Sequence, residues 1–212
     1  MALGQPGVKS AEKYRLSGSF PAGGVCLDVG LHLHVVRAVE LKFGHIFLYP
    51  LEQLRVVVLI DGHSILNRAF FGLPDLTNSE GLHTNAIYGF LTIMFKILDE
   101  EKPDYLTVAF DVHAPTFRHK MYDAYKGTRK PMADELRQQV PVIKEVLCSM
   151  GIKTIECAGL EADDLLGTLS RRCEEEGMEV SVISGDRDLL QLATQHVKIR
   201  IPKTKQGRTE VE

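Results

Sequence analysis

The chain has 212 residues, 44% of them hydrophobic and 25% charged, with a formal net charge of −3. That balance suits one globular domain, or one domain with an appendage, and a near-neutral chain announces no nucleic-acid binder globally, so any such signal has to be local. No run approaches the roughly 20 apolar residues of a membrane span, and Cys26, Cys148, Cys157 and Cys173 form no CxxC pair or zinc-type spacing, so they read as reduced thiols in a cytosolic protein.

Residues 1–54 differ from the rest. MALGQPGVKSAEKYRLSGSFPAGG is rich in Gly, Ser, Pro and Ala and has no helical or strand period. The following VCLDVGLHLHVVRAVELKFGHIFLYPL is more apolar, but Asp28, Arg37, Glu40 and Lys42 break the uninterrupted apolar core of a signal peptide. His32, His34 and Cys26 lack the second spaced pair that a zinc site needs. The expectation is an atypical, poorly ordered N-terminal extension over 1–54, with the folded core over 55–212.

From Arg55 the pattern becomes regular. VVVLI (56–60) is a continuous aliphatic run, as expected of a strand buried on both faces. ILNRAFFGL is helical, DLTNSEGLHT is a turn-rich loop, and NAIYGFLTIMFKILDEE is a long helix closed by Lys102-Pro103. YLTVAF (105–110) is a second strand. MADELRQQVPVIKEVLCSM (132–150) is a helix ended by Gly151 and kinked at Pro141. IKTIEC (152–157) is a third strand, ADDLLGTLSRRCEEEG a helix stopped at Gly177, and MEVSVIS (178–184) a fourth strand. DLLQLAT is read as helical and HVKIRI (196–201) as a fifth strand. Strands alternating with helices predict an α/β fold, a mostly parallel central sheet with helices on both faces.

In such a sheet ligands collect beyond the carboxyl ends of the strands, and here those ends carry acids. VVVLI runs into Asp61, YLTVAF into Asp111, and VSVIS through Gly185 into Asp186 and Asp188; the third strand leads to Glu161, Asp163 and Asp164. One Asp after a strand commonly serves a turn, and Asp164 alone could cap a helix. As a group, carboxylates crowded in a partly dry cleft repel one another and raise one another's pKa. Hard divalent cations such as Mg²⁺ or Mn²⁺ relieve that repulsion, whereas a cluster without His or Cys disfavours zinc. Two such ions form a clamp for in-line phosphoryl displacement. From the residues alone the expectation is therefore metal-dependent phosphoryl transfer or phosphodiester hydrolysis.

TFRHKMYDAYKGTRKP (116–131) sets Arg118, Lys120, Lys126, Arg129 and Lys130 against Asp123, with Tyr122 and Tyr125 interleaved. A charged run is commonly a solvated face. Cations alternating with aromatic rings also make a track for single-stranded nucleic acid, and this track begins close after Asp111. Arg68 could add a phosphate contact or be a plain surface Arg.

VLIDGHSILNRAFFGLP, AIYGFL, VAFDVHAPTFRH, YKGTRKP, GLEADDLLGTL and SGDRDLLQL together resemble the 5′-nuclease domain at the amino end of bacterial DNA polymerases I, within the flap-endonuclease, PIN-like family; the resemblance spans about residues 56–212. It implies a structure-specific hydrolase that removes 5′ flaps and RNA primers in replication and repair, exonucleolytically or near a junction, using two or more Mg²⁺ or Mn²⁺ ions. It assigns Asp61, Asp111, Glu161, Asp163, Asp164, Asp186 and Asp188 as metal ligands. Tyr125, Lys126 and Arg129 match the family's gateway for the 5′ strand, with Lys126 approaching the scissile phosphate; Arg68, Arg118 and Lys130 fall among the nucleic-acid contacts. Asp61, Asp111, Lys126 and Arg129 are the expected catalytic set. The implied partners are DNA with a 5′ flap or single-stranded 5′ end, RNA–DNA primer junctions and a polymerase domain in the full-length protein, in a cytoplasmic, nucleoid-associated setting without a membrane.

Two departures from the family pattern carry expectations of their own. The family continues past KTKQGRTEVE with one more metal-site Asp and a helix-hairpin-helix element, so a truncated core of weak or no activity is expected, or a DNA-binding fragment. It also begins just before the first strand, which leaves 1–54 outside the resemblance. A PIN-type ribonuclease would have fewer acids and no YKGTR segment, and a phosphatase with an aspartyl nucleophile would need a DxDxT pattern that is absent after VVVLI.

Overall fold

The structure is a computed structural model, and it describes residues 55–122, 124–127, 131–205 and 208–211. The expectation for 1–54, and the positions of Arg129 and Lys130, lie outside the described residues.

Five parallel strands form the central sheet in the order β3-β2-β1-β4-β5. They are β1 (Val56–Asp61), β2 (Tyr105–Ala109), β3 (Lys153–Ile155), β4 (Glu179–Ile183) and β5 (Val197–Arg200). The chain steps from β1 to β2 and β3 on one side, then returns to place β4 and β5 on the other. The reversal lies between β1 and β4, where Ile60 is in register with Ile183, and it opens a crevice beyond the strands' carboxyl ends.

The continuous apolar run of β1 serves both faces of the sheet. Val58 and Ile60 pack with Ile65, Leu66, Phe90, Ile97, Phe110, Ile143 and Leu147. Those residues bring in α1 (Gly62–Gly72), α2 (Asn85–Glu101) and α4 (Asp134–Ser149). Val57 and Leu59 pack on the other face with Ala109, Leu166, Val180, Val182 and Val197, under α5 (Ala162–Glu175). In α2, Ile87, Phe90, Met94 and Ile97 are buried at helical spacing, which is the stripe the sequence predicts.

Helix ends follow the predicted stop signals. Lys102 turns α2 off with φ of 45° just before Pro103. Gly151 (φ 73°) and Gly177 (φ 72°) close α4 and α5, with Ile152 N–H bonded to the Leu147 carbonyl and Met178 N–H to the Cys173 carbonyl. Pro141 lies inside α4 and has no N–H to give the preceding turn. The start of α2 is satisfied from a distance. Gln139 of α4, fully buried, accepts the N–H groups of Ala86 and Ile87 at 2.9 and 3.2 Å and donates to Asn85 Oδ1 at 3.1 Å.

Several details differ from the sequence reading. β3 is three residues long rather than six, because only Lys153–Ile155 pair with β2 at this edge. DLLQLAT is a 3₁₀ turn over Arg187–Leu192. A short helix α3 (Phe117–Met121) interrupts the basic segment, and β6 (Pro202–Lys205) and β7 (Arg208–Val211) form an antiparallel hairpin after β5.

Candidate metal centre and nucleic-acid interface

The expected acids lie along the carboxyl edge of the sheet, and most of them are held by hydrogen bonds near the loops that deliver them. Asp61 ends β1 and caps α1: its Oδ1 accepts the Ser64 N–H at 3.0 Å and its Oδ2 accepts the Ser184 hydroxyl at 2.8 Å. Ser184 also accepts the Asp186 N–H at 3.0 Å, and Ser64 Oγ accepts the Gly185 N–H at 2.9 Å. Two serines thus tie the end of β1 to the end of β4 across the switch point. Asp186 Oδ1 accepts the Asp188 N–H at 2.9 Å, and the Asp188 side chain is exposed.

Asp111 lies just past β2 and points at α5, where its Oδ1 accepts the Ala162 N–H at 2.7 Å. An acid at the positive end of a helix is favourable on its own account. The Asp111 N–H donates to His63 Nδ1 at 3.1 Å, so the imidazole carries its proton on Nε2. The His63 ring also stands edge-on to Phe110, 5.5 Å between centroids at 88°. Burial lowers the His63 pKa from 6.5, which favours the neutral form that can accept. Neither His63 nor the two serines was singled out from sequence; His63 and Ser64 follow Asp61 directly, and no spacing rule links them to Asp111 or Gly185.

The charges fall into two groups. Asp61 is 5% exposed, and burial pushes its carboxyl from 3.8 up to about 6, helped by the charges of Asp163 and Asp111. Burial also raises Asp163, reinforced by Asp186 and Asp111. Glu161 and Asp164 are the second group, and they are neutralised by the basic segment. Arg118 donates to both Asp164 oxygens, at 2.8 and 2.7 Å, and lies 3.5 Å from Glu161 Oε2. Lys126 Nζ donates to Glu161 Oε1 at 2.7 Å, and the Tyr125 hydroxyl donates to Oε2 at 3.1 Å. The Arg118 pair holds the Asp164 carboxyl below the usual carboxylate range, and Arg118 itself is raised.

Around these contacts the segment is aromatic as well as cationic. Arg118 lies 4.5 Å over the Phe117 ring, and His119 meets Tyr125 edge-on at 5.1 Å. A cavity of about 400 Å³ opens here, bounded by Asp111, Thr116, His119, Lys126, Leu160 and Glu161. Arg68 runs beside the Gly185 turn, its Cδ 3.9 Å from where a Cβ at Gly185 would lie, and its Nε is buried without a hydrogen-bond partner among the described residues.

Among the described residues no three carboxylate, imidazole or thiol groups close on one point as a ready metal cage. The charges supply a physical reason: Asp61, Asp111, Asp163 and Asp186 repel, while Glu161 and Asp164 are drawn to Arg118 and Lys126. The donor set nevertheless fits a hard divalent cation. It is all oxygen, and burial, reinforced by neighbouring carboxylates, raises the Asp61 and Asp163 carboxyls, with Lys126 offsetting the effect at Asp163 only in part.

The parallel sheet thus carries acids from the ends of three strands and from the start of α5 along one edge, and comparison with known proteins places it in a family. The profile described as 5′-3′ exonuclease, N-terminal resolvase-like domain, matches residues 56–212, and the chain belongs to that family. It is 51% identical to DNA polymerase I of Bacillus caldotenax over 156 residues, which is 74% of this chain and 18% of that protein. It is 43% identical to the 5′-3′ exonuclease of Aquifex aeolicus over 149 residues, 70% of this chain and 52% of that one. The chain thus spans about a fifth of the polymerases and about half of the exonuclease. Among solved structures, the T5 D15 protein co-crystallized with metal ions superposes with a TM-score of 0.55 at 20% identity, covering 68% of this chain and 54% of that one. The D15 flap endonuclease of bacteriophage T5, in a pseudo-enzyme-product complex with DNA and metal ions, gives 0.53 at 22% identity over the same shares. At such identities these two speak for the fold alone.

Proposed function

We propose that the chain is a divalent-metal-dependent 5′-3′ exonuclease and 5′-flap endonuclease acting on DNA and RNA primers. The observation that carries this reading is the pairing, at one sheet edge, of raised carboxyls (buried Asp61 and half-buried Asp163) with a cationic, aromatic segment. The first attracts cations and the second attracts a polyanion. A small phosphate ester would need no such track.

Asp61, Asp111, Glu161, Asp163, Asp164, Asp186 and Asp188 would hold two or more Mg²⁺ or Mn²⁺ ions, and such ions would supply an activated water and neutralise the leaving oxygen. The chain's own residues do the rest. The serine ties at Asp61 and the α5 cap at Asp111 hold two carboxylates in fixed orientations before substrate arrives. Arg68, Arg118, Lys126 and, from outside the described residues, Arg129 and Lys130 would hold the phosphates of the strand. Tyr125 offers a base a ring face. No side-chain nucleophile is needed, because water attacks the phosphorus and the product carries the 5′ phosphate.

The natural substrates on this reading are DNA with a 5′ flap or free 5′ end and RNA–DNA primer junctions. The setting is replication and repair near the nucleoid, with a polymerase domain in the longer protein. Cleavage of a labelled 5′-flap duplex with Mg²⁺, with EDTA, and with Asp111→Asn tests it: product should form only in the first. Equal cleavage in all three, or none in any, refutes the proposal.

A further inference from the structure

We propose that the segment bearing Arg118, Tyr125 and Lys126 is a latch: in the metal-free protein its cations occupy Glu161 and Asp164, and a divalent cation binding those carboxylates frees them for substrate phosphate. This rests on the reading of the acids as metal ligands. Glu161 is buried, with 8% of its side chain exposed, and each of its carboxylate oxygens already has a donor. Lys126 takes Oε1, while Tyr125 and Arg118 share Oε2. Asp164 is held by the full fork of Arg118, and it returns one oxygen to the Glu161 N–H at 2.9 Å. The two acids and two cations therefore form one closed set.

Lys126 reaches Glu161 from a backbone with φ of 57°, a left-handed conformation unfavourable for a residue with a Cβ. The ion pair offsets that cost, and its loss would let the backbone relax away from the acids. The neighbouring acids show the contrast: no cation acts on Asp61, and Lys126 acts on Asp163 only through its charge, without a hydrogen bond or ion pair, so the basic segment has engaged one part of the acidic edge and left the other open to a cation. A metal ion and the Lys126 ammonium are both positive and compete for the same Glu161 oxygen. Coupling of this kind is reciprocal: the factor by which Lys126 weakens metal binding is the factor by which metal weakens the hold of Glu161 on Lys126. The structure thus points to an order of events, with cation loading first and strand capture second.

Mn²⁺ titration calorimetry on the full chain tests the latch without reference to turnover. Lys126→Met should bind Mn²⁺ about 5-fold tighter or more than wild type. Lys120→Met, which removes an exposed charge from α3, should stay within about twofold, and Asp163→Asn should bind more weakly. In parallel, a fluorescent single-stranded oligonucleotide should bind wild type more tightly in Ca²⁺ than in EDTA. Glu161→Gln should bind it tightly in both. Hydrogen exchange on wild type needs no variant: the amides of 116–122 and 124–127 should exchange faster once Mg²⁺ is added. Unchanged Mn²⁺ affinity in Lys126→Met, equal tightening in Lys120→Met, or exchange insensitive to Mg²⁺ would overturn the latch while leaving the metal reading intact. Wild type that binds no Mn²⁺ would overturn the metal reading and the latch together.

Discussion

Replacing Asp61 with Asn removes a charge that the metal-free fold holds at a loss. Asp61 is 5% exposed, and burial pushes its carboxyl from 3.8 to about 6 even though Ser64 and Ser184 hydrogen-bond its charged form. In the unfolded chain the group ionises near its ordinary value. Between about pH 4 and 6 the folded state therefore binds the extra proton, and stability falls as pH rises. At ~1.4 kcal/mol per pH unit, the loss amounts to about 3 kcal/mol by neutral pH. An amide at this position can still accept the Ser64 N–H and donate to the Ser184 oxygen, and it has nothing to ionise. In EDTA, Asp61→Asn is expected to equal or trail wild type near pH 4, where weaker hydrogen bonds are the only change. Near pH 7 it should exceed wild type by up to about 3 kcal/mol, a Tm rise of roughly 6–12 °C for a domain of this size. Chemical denaturation followed by circular dichroism reads both conditions. Saturating Mg²⁺ should narrow or reverse the order, because the wild type gains binding energy that the variant forgoes. A stability difference that is the same at both pH values would refute the account of Asp61 as a buried, uncompensated carboxylate.

The other expected outcomes concern the ties around that carboxylate. Asp111→Asn retains an oxygen for the Ala162 N–H, so its melting should shift by no more than about 1 kcal/mol, whereas Mg²⁺-dependent cleavage should be lost. His63→Leu removes the acceptor of the Asp111 N–H at an exposed position, where water can take its place, so the loss should be about 0.5–1.5 kcal/mol; His63→Asn, with an acceptor oxygen near the place of Nδ1, should recover most of it, and thermal melts of the pair decide. Gly62→Ala places a Cβ 2.4 Å from the Phe110 ring and should destabilise by about 1–3 kcal/mol, with a matching loss of Mn²⁺ affinity as Asp61 and Asp111 are pushed apart.

The sheet was legible because the inner strands are short, mostly apolar runs that lead into an acid. VVVLI-Asp61 and YLTVAF-Asp111 need only burial on both faces and a turn. Glycine stops at Gly151 and Gly177 were equally local signals. What escaped the sequence was satisfied by residues far apart in the chain. Gln139 reaches the start of α2 across more than fifty positions, Ser184 ties to Asp61 across 123, and Arg118 pairs with Asp164 across 46. Periodicity carries no record of such pairs. The brief α3 was missed because Phe117–Met121 is too short for a helical stripe and depends on the Thr116–His119 side-chain bond of 2.8 Å. DLLQLAT has helical composition, but the cap of Asp186 on the Asp188 N–H winds it as a 3₁₀ turn. The acidic edge itself was anticipated from sequence; the capture of Glu161 and Asp164 by the basic segment was not, since both were assigned to metal and the cations to phosphate.

The most direct test of the central claim is a single time course: a 5′-flap duplex labelled at its 5′ end, incubated with the full chain in Mg²⁺ and chased with EDTA. Release of a short labelled product that stops on chelation, and that is absent throughout with Asp111→Asn, is the expected result. Product that continues to accumulate after EDTA, or that forms equally with Asp111→Asn, would contradict it.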